Sequence, residues 1–154
     1  MTTELPSPSH APRRDWLAVL ARASLADLEA LAPLPGTLPP ITYVREAETG
    51  MVMLRGRIGG TGDAFNLGEA SVTRCALRFA DGPLGVGYTL GRNRRKAELV
   101  AVLDALLQDP DAHSALAAAV IVPLAQRQAG QREAASRSAA ESRVEFFTIV
   151  RGDA

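Results

Sequence analysis

Apolar positions recur along this chain in two rhythms, one helical and one alternating. In RRDWLAVLARA, Trp16, Leu17 and Leu20 share one helical face, and Pro12 is well placed in the first turn. Ser24-Leu25-Ala26-Asp27 has capping-box form and restarts a second helix bearing Leu25, Leu28 and Leu31. Pro33, Pro35, Pro39 and Pro40 end this section and make a stiff connector. Strand signals follow. ITYVR (41–45) is β-branched and aromatic, ETG (48–50) reads as a turn, and MVMLRGRI (51–58) reads as a second strand. That second strand places Val52, Leu54 and Ile58 on one face, opposite Met51, Met53, Arg55 and Arg57. ASVTRCALRF sets Thr73, Cys75, Leu77 and Phe79 against Arg74 and Arg78, and LGVGYTLG supplies a fourth strand after a turn.

From about Asn93 the helical period returns. Leu99, Val102, Leu103, Leu106 and Leu107 form the clearest amphipathic pattern of the chain. Asp109-Pro110 stops it, an alanine-rich helix runs from about Asp111 to VIVP, and Pro123 interrupts. Residues Leu124 to Ser142 predict a long polar helix with little apolar stripe, suited to the surface or to another chain. RVEFFTIV (143–150) reads as a strand that needs cover on both faces. The short connections favour an antiparallel meander. The expectation is therefore an α+β fold: about four meandering strands plus a C-terminal strand, with N- and C-terminal helical sections packed against them. Residues 1–11, with Pro6, Ser7, Pro8 and Ser9, are expected to be a disordered lead-in, and 12–154 one domain.

The 154 residues are 47% hydrophobic and 22% charged with zero formal net charge, an ordinary globular balance. Zero net charge makes nucleic acid or an anionic membrane a poor partner. Sixteen of the seventeen basic residues are arginine, Lys96 being the exception; GC-rich coding produces such a bias, and arginine also suits paired contacts to carboxylate or phosphate. Cys75 is the only cysteine, and His10 and His113 have no ligand-spaced partners, so no metal site is expected. The N-terminus lacks signal-peptide form and no apolar run reaches membrane-spanning length, so a cytoplasmic location is expected.

Three stretches can carry chemistry. GRIGGTGDAFNLGEASVTR (56–74) fails both phosphate-loop templates: no Lys-Ser/Thr follows its glycines, and it leads to a strand rather than a helix. What remains is an anion-binding nest around Gly60, Thr61 and Gly62, or a glycine-adapted hairpin loop. GRNRRKAE (91–98) sets Arg92, Arg94, Arg95 and Lys96 at a helix start, where cations oppose the helix dipole. A bound anion or an acidic partner would reverse that conflict; a solvated turn paired with Glu98 is the other reading. The third is an arginine face, Arg55, Arg57, Arg74 and Arg78, with Glu69 and Asp63 as nearby counter-charges. It reads as a solvated sheet face, or, because Met51 and Met53 share it, as an interface. Acid–base work would fall to Glu46, Glu48, Asp63 or Glu69, and no nucleophile–histidine–acid set can be assembled. Alone, the chain does not read as a self-sufficient enzyme.

From Arg13 to the C-terminus the chain resembles the PhnG family, the G subunit of the bacterial carbon–phosphorus lyase core complex. The blocks that carry the resemblance are ETGMVMLRGRIGGTGDAFNLGEASVTRCALR, GVGYTLGRNRRKAELVAVLDALLQ and SRVEFFTIVRGD. It implies a hetero-oligomeric subunit in phosphonate catabolism, with the H, I, J and L subunits as partners. Together with such partners it would couple methylphosphonate to the ribose C1′ of ATP and release adenine. The resemblance implies no cofactor held by this chain alone; the complex uses ATP. It supplies no catalytic residues, so Arg55, Arg57, Gly60, Thr61, Gly62, Glu69, Arg74, Arg94 and Arg95 stand as candidates for ligand or subunit contact. The chain is expected to act mainly in assembly. The alternative is a stand-alone anion- or nucleotide-binding protein.

Overall fold

The computed structural model describes residues 11–32, 38–80 and 82–142. Residues 1–10 of the expected lead-in, most of the proline-rich connector and the expected C-terminal strand lie outside them, while Ala11, the last lead-in residue, is already helical. Two short helices, α1 (Ala11–Arg22) and α2 (Leu25–Leu31), precede three strands, β1 (Ile41–Gly56), β2 (Phe65–Phe79) and β3 (Leu84–Leu90). Then come α3 (Arg94–Leu107), α4 (Pro110–Leu116) and α5 (Val122–Glu141), the last two joined by a π turn over Ala117–Ile121. The strands form one antiparallel sheet in the order β1-β2-β3. This is the expected α+β meander.

The strand count differs in one place. ETG is not a turn: Glu48, Thr49 and Gly50 lie inside a single 16-residue β1, opposite Arg74, Thr73 and Val72. The glycine that resembled a turn signal sits where the strand is held by its cross-strand partners, including a 3.1 Å contact between the Thr49 and Thr73 hydroxyls. Irregularities between Tyr43 and Glu48 absorb the extra residues, so two expected strands are one. β2 likewise begins at Phe65, five residues before the expected start at Ala70.

Helix α3 is the centre of the molecule, because its apolar residues occupy more than one face. Leu99, Val100, Leu103 and Leu107 join Leu20 and Leu28 of α1 and α2, and Val120 and Leu124 beyond, in a helical core. Ala97, Ala101 and Ala105 face the sheet, in a second core with Cys75, Leu77 and Phe79. The small residues are required. A Cβ added to Gly85 would stand 2.1 Å from the Ala101 carbonyl oxygen, and one on Gly87 would stand 2.0 Å from that of Ala97. Backbone thus lies against backbone, with no space for a side chain.

One buried polar node ties the layers together. The Asp104 carboxylate of α3, wholly shielded from solvent, accepts hydrogen bonds from Arg13 Nη2 at 2.7 Å and from Trp16 Nε1 and the Val86 amide at 2.9 Å each. Arg13 Nη2 also donates to the Leu84 carbonyl at 2.9 Å. The buried charge is therefore compensated by one guanidinium and two neutral donors. At the other end of the helical section, the Val122 amide reaches back to the Ala117 carbonyl. The widened turn leads into Pro123, which has no N–H to give, so the proline opens a helix here rather than ending one.

Candidate functional site

Among the described residues, helices cover one face of the sheet and leave the other open. Thr73, Cys75, Leu77 and Phe79 of β2 and Gly85, Gly87 and Thr89 of β3 are buried beneath the helices. On the opposite face the register lines up Glu48, Arg74 and Tyr88 in one row and Gly50, Val72 and Leu90 in the next. Arg74, Tyr88 and Leu90 are exposed. Glu48 Oε1 accepts from Arg74 Nε at 2.7 Å and also from Arg45 Nη1. Those two bonds, Arg45 first and Arg74 second, hold the Glu48 carboxyl below its ordinary range. Arg74, Glu48 and Tyr88, with Thr49, Gly50, Met51 and Val72, line a cleft of ≈ 230 Å³.

Beyond this cleft the sheet narrows. β3 ends at Leu90, opposite Val72, while β1 and β2 continue as a two-stranded ribbon, residues 51–56 against 65–71. At about 3.3 Å per residue this ribbon extends roughly 20 Å past the three-stranded sheet. Its large apolar side chains, Met51, Met53, Leu54, Phe65 and Leu67, are exposed, and Ile58 at the tip is 78% exposed.

The nine sequence candidates fall in four places. Gly60, Thr61 and Gly62 are in the tip, where Gly59 takes the left-handed conformation at φ 61° and Ile58–Gly60 make a single 3₁₀ turn. Arg57 Nη1 donates to the Gly62 carbonyl at 2.9 Å and Arg55 Nη2 to that of Ala64 at 3.4 Å, so both guanidiniums brace the tip from within. Glu69 lies in the ribbon opposite Met53, and Arg74 in the cleft. Arg94 and Arg95 occupy the first turn of α3, where Arg95 approaches Glu98 at 3.8 Å and Asn93 caps the Lys96 amide.

The structure does not bring the four arginines of the expected basic face together. Asn66, the register partner of Arg55, is eight residues from Arg74 along β2, or about 25 Å at ~3.3 Å per residue. The counter-charge of Arg74 is Glu48, rather than Glu69 or Asp63. Reading ETG as a turn hid that pair, because it broke the register that joins them. The Arg45–Glu48 spacing was the only local sign of it.

The chemistry available to the remaining reactive groups is limited. Burial, and then the nearby Glu98 charge, push the Cys75 thiol up to about 11, so it stays protonated at neutral pH. The His113 ring lies 5.2 Å from the Trp16 ring, and its Nδ1 is 2.8 Å from the Leu107 carbonyl. Among the described residues no three metal-ligating side chains cluster, and no helix is long and apolar enough to cross a membrane.

Two comparisons identify relatives. The family model described as "Phosphonate metabolism protein PhnG" matches residues 11–152. A Rhizobium meliloti (strain 1021) protein, the "Alpha-D-ribose 1-methylphosphonate 5-triphosphate synthase subunit PhnG", is 42% identical over 143 residues, covering 93% of this chain and 91% of the relative. With a match spanning both the ribbon and the helical layer, the chain belongs to the PhnG family of phosphonate metabolism proteins.

Proposed function

We propose that this chain is a non-autonomous subunit of an α-D-ribose 1-methylphosphonate 5-triphosphate synthase and that it docks on its partners through the open sheet face and the ribbon. The name borne by the 42% identical relative supports the assembly, and the exposed ribbon supports the docking surface. A two-stranded ribbon is marginal in water by itself, and clustered exposed apolar side chains mark contact surfaces. On this reading the neighbours are the H, I, J and L subunits in the cytoplasm, and the assembly couples a phosphonate to the ribose of ATP with release of adenine. A carboxylate held ionised by two guanidiniums and a thiol held protonated by burial suit support better than catalysis. A stand-alone anion- or nucleotide-binding role has less support, because Arg55 and Arg57 are engaged by loop carbonyls.

The test is co-expression with the other pathway subunits and capture through a tag on a partner. Met53→Asp with Ile58→Asp is expected to abolish co-elution while leaving the isolated chain's unfolding midpoint close to that of the parent, since both side chains are exposed. Unchanged co-elution would overturn the docking surface. Replacing Thr61, Arg94 and Arg95 with alanine separates a ligand-contact role: the assembly is expected to form and to retain coupling activity. Loss of activity in an intact assembly would move these residues to the substrate.

A further inference from the structure

A second concave site lies on the helical side of α3, away from the sheet. Where the end of α1, the start of α2, α3 and α5 meet, a pocket of ≈ 270 Å³ is lined by Arg22, Lys96 and Arg127 together with Asp27 and Gln131. Its charge is unbalanced. Asp27 is already taken by Arg127, with which it forms an ion pair. Arg22 and Lys96 form no ion pair among the described residues, so two cations converge on one concave volume without a counter-ion.

The two cations differ in what explains them locally. Arg22 lies in the last turn of α1, where a cation suits the helix dipole. Lys96 has the opposite setting: it lies in the first turn of α3 beside Arg94 and Arg95, with no acidic residue in that turn. Burial also pushes its ammonium down from the ordinary lysine value. A partly desolvated cation at the unfavourable end of a helix gains most from an anion. Lys96 is the one lysine among seventeen basic residues. Its compact ammonium, with three rotatable donors, acts on phosphate as a point charge.

We propose that this pocket binds a phosphoryl-bearing anion, held by Lys96 and Arg22 with Gln131 as a neutral donor. Charge selects the ligand class. A phosphate monoester carries about −1.5 to −2 near neutral pH and balances two free cations, whereas a single carboxylate balances one. Size limits it further: the pocket lies below the roughly 300–1,000 Å³ of drug-sized sites, which suits one or two phosphoryl groups. A shallower groove of ≈ 680 Å³ shares Arg22 and Gln131 and continues past Arg132 along α5, so the rest of an esterified ligand has a path out. The site is separate from the ribbon and does not depend on the docking surface.

The test is calorimetric titration of the full-length chain at low ionic strength with inorganic phosphate, pyrophosphate and malonate. Saturable phosphate or pyrophosphate binding is expected, weakened about tenfold or more in Lys96→Met and in Arg22→Gln. Lys96→Met keeps the buried stem, and Arg22 is exposed, so Arg22→Gln preserves the test should the first variant fold poorly. Three results would overturn the proposal: no saturable heat with either phosphate, parental affinity in a folded Arg22→Gln, or malonate binding as tightly as pyrophosphate. Neither substitution should alter capture by partner subunits, so failure here leaves the docking reading untouched.

Discussion

Arg13 Nη2 lies 2.7 Å from Asp104 Oδ2, joining the first helix to the central one across 91 residues of chain. Because Asp104 is wholly buried, removal of its cationic partner leaves a charge with only neutral donors. Arg13→Met is therefore expected to cost about 3 kcal/mol, near the lower end for a broken buried pair, since Arg13 is itself partly exposed. Urea unfolding measures it, and a change below about 0.5 kcal/mol would show that Trp16 and the Val86 amide suffice.

Contact between α3 and β3 depends on missing side chains. Gly87→Ala places a methyl group 2.0 Å from the Ala97 carbonyl oxygen, and the helix must move to admit it. A loss of about 1–3 kcal/mol is expected from overpacking. Gly50→Ala is the control, because nothing lies within 4 Å of a Cβ there. Thermal unfolding of the two variants should separate them clearly.

Glu48 gives the open face an acid limb. Its folded pKa is lowered from the ordinary 4.5 by Arg45 and Arg74, so its contribution is present above that value and fades as pH falls through the folded one. The difference in unfolding midpoint between the parent and Glu48→Gln should therefore shrink below about pH 4.5. A constant difference down to strong acid would mean that the two arginines stabilise the side chain without regard to its charge.

Cys75 should be inert. With its thiol raised from 9.0 to about 11, thiolate at neutral pH is about a hundredfold scarcer than in a free cysteine, and burial adds a steric barrier. Iodoacetamide is expected to label the denatured chain quickly and the folded chain at least a hundred times more slowly. Rapid labelling of the native chain would place the thiol at the surface.

Local pattern carried most of the architecture. The stripe from Leu99 to Leu107 predicted α3, and alternation from Thr73 to Phe79 predicted the covered face of β2. What local pattern did not carry was pairing. The Glu48–Arg74 contact spans 26 residues and depends on a register that an in-strand glycine disguised. The Asp104 node was equally hidden, because an aspartate inside an apolar helical stripe resembles a solvent-facing position until Arg13 and Trp16 fold onto it. Lys96 stood out by composition as the lone lysine, but its pocket required four helices to meet.

The ribbon's place in the molecule has a genetic consequence. Its exposed side chains stand beyond both cores, so substitutions there can accumulate without repacking α3 or the sheet. Loss of partnership and loss of folding are then distinct phenotypes, and a ribbon mutant can persist, folded and abundant, outside any assembly. Co-expressed with the parental chain, such a mutant would be recessive yet detectable as free protein, whereas a core mutant would merely be absent.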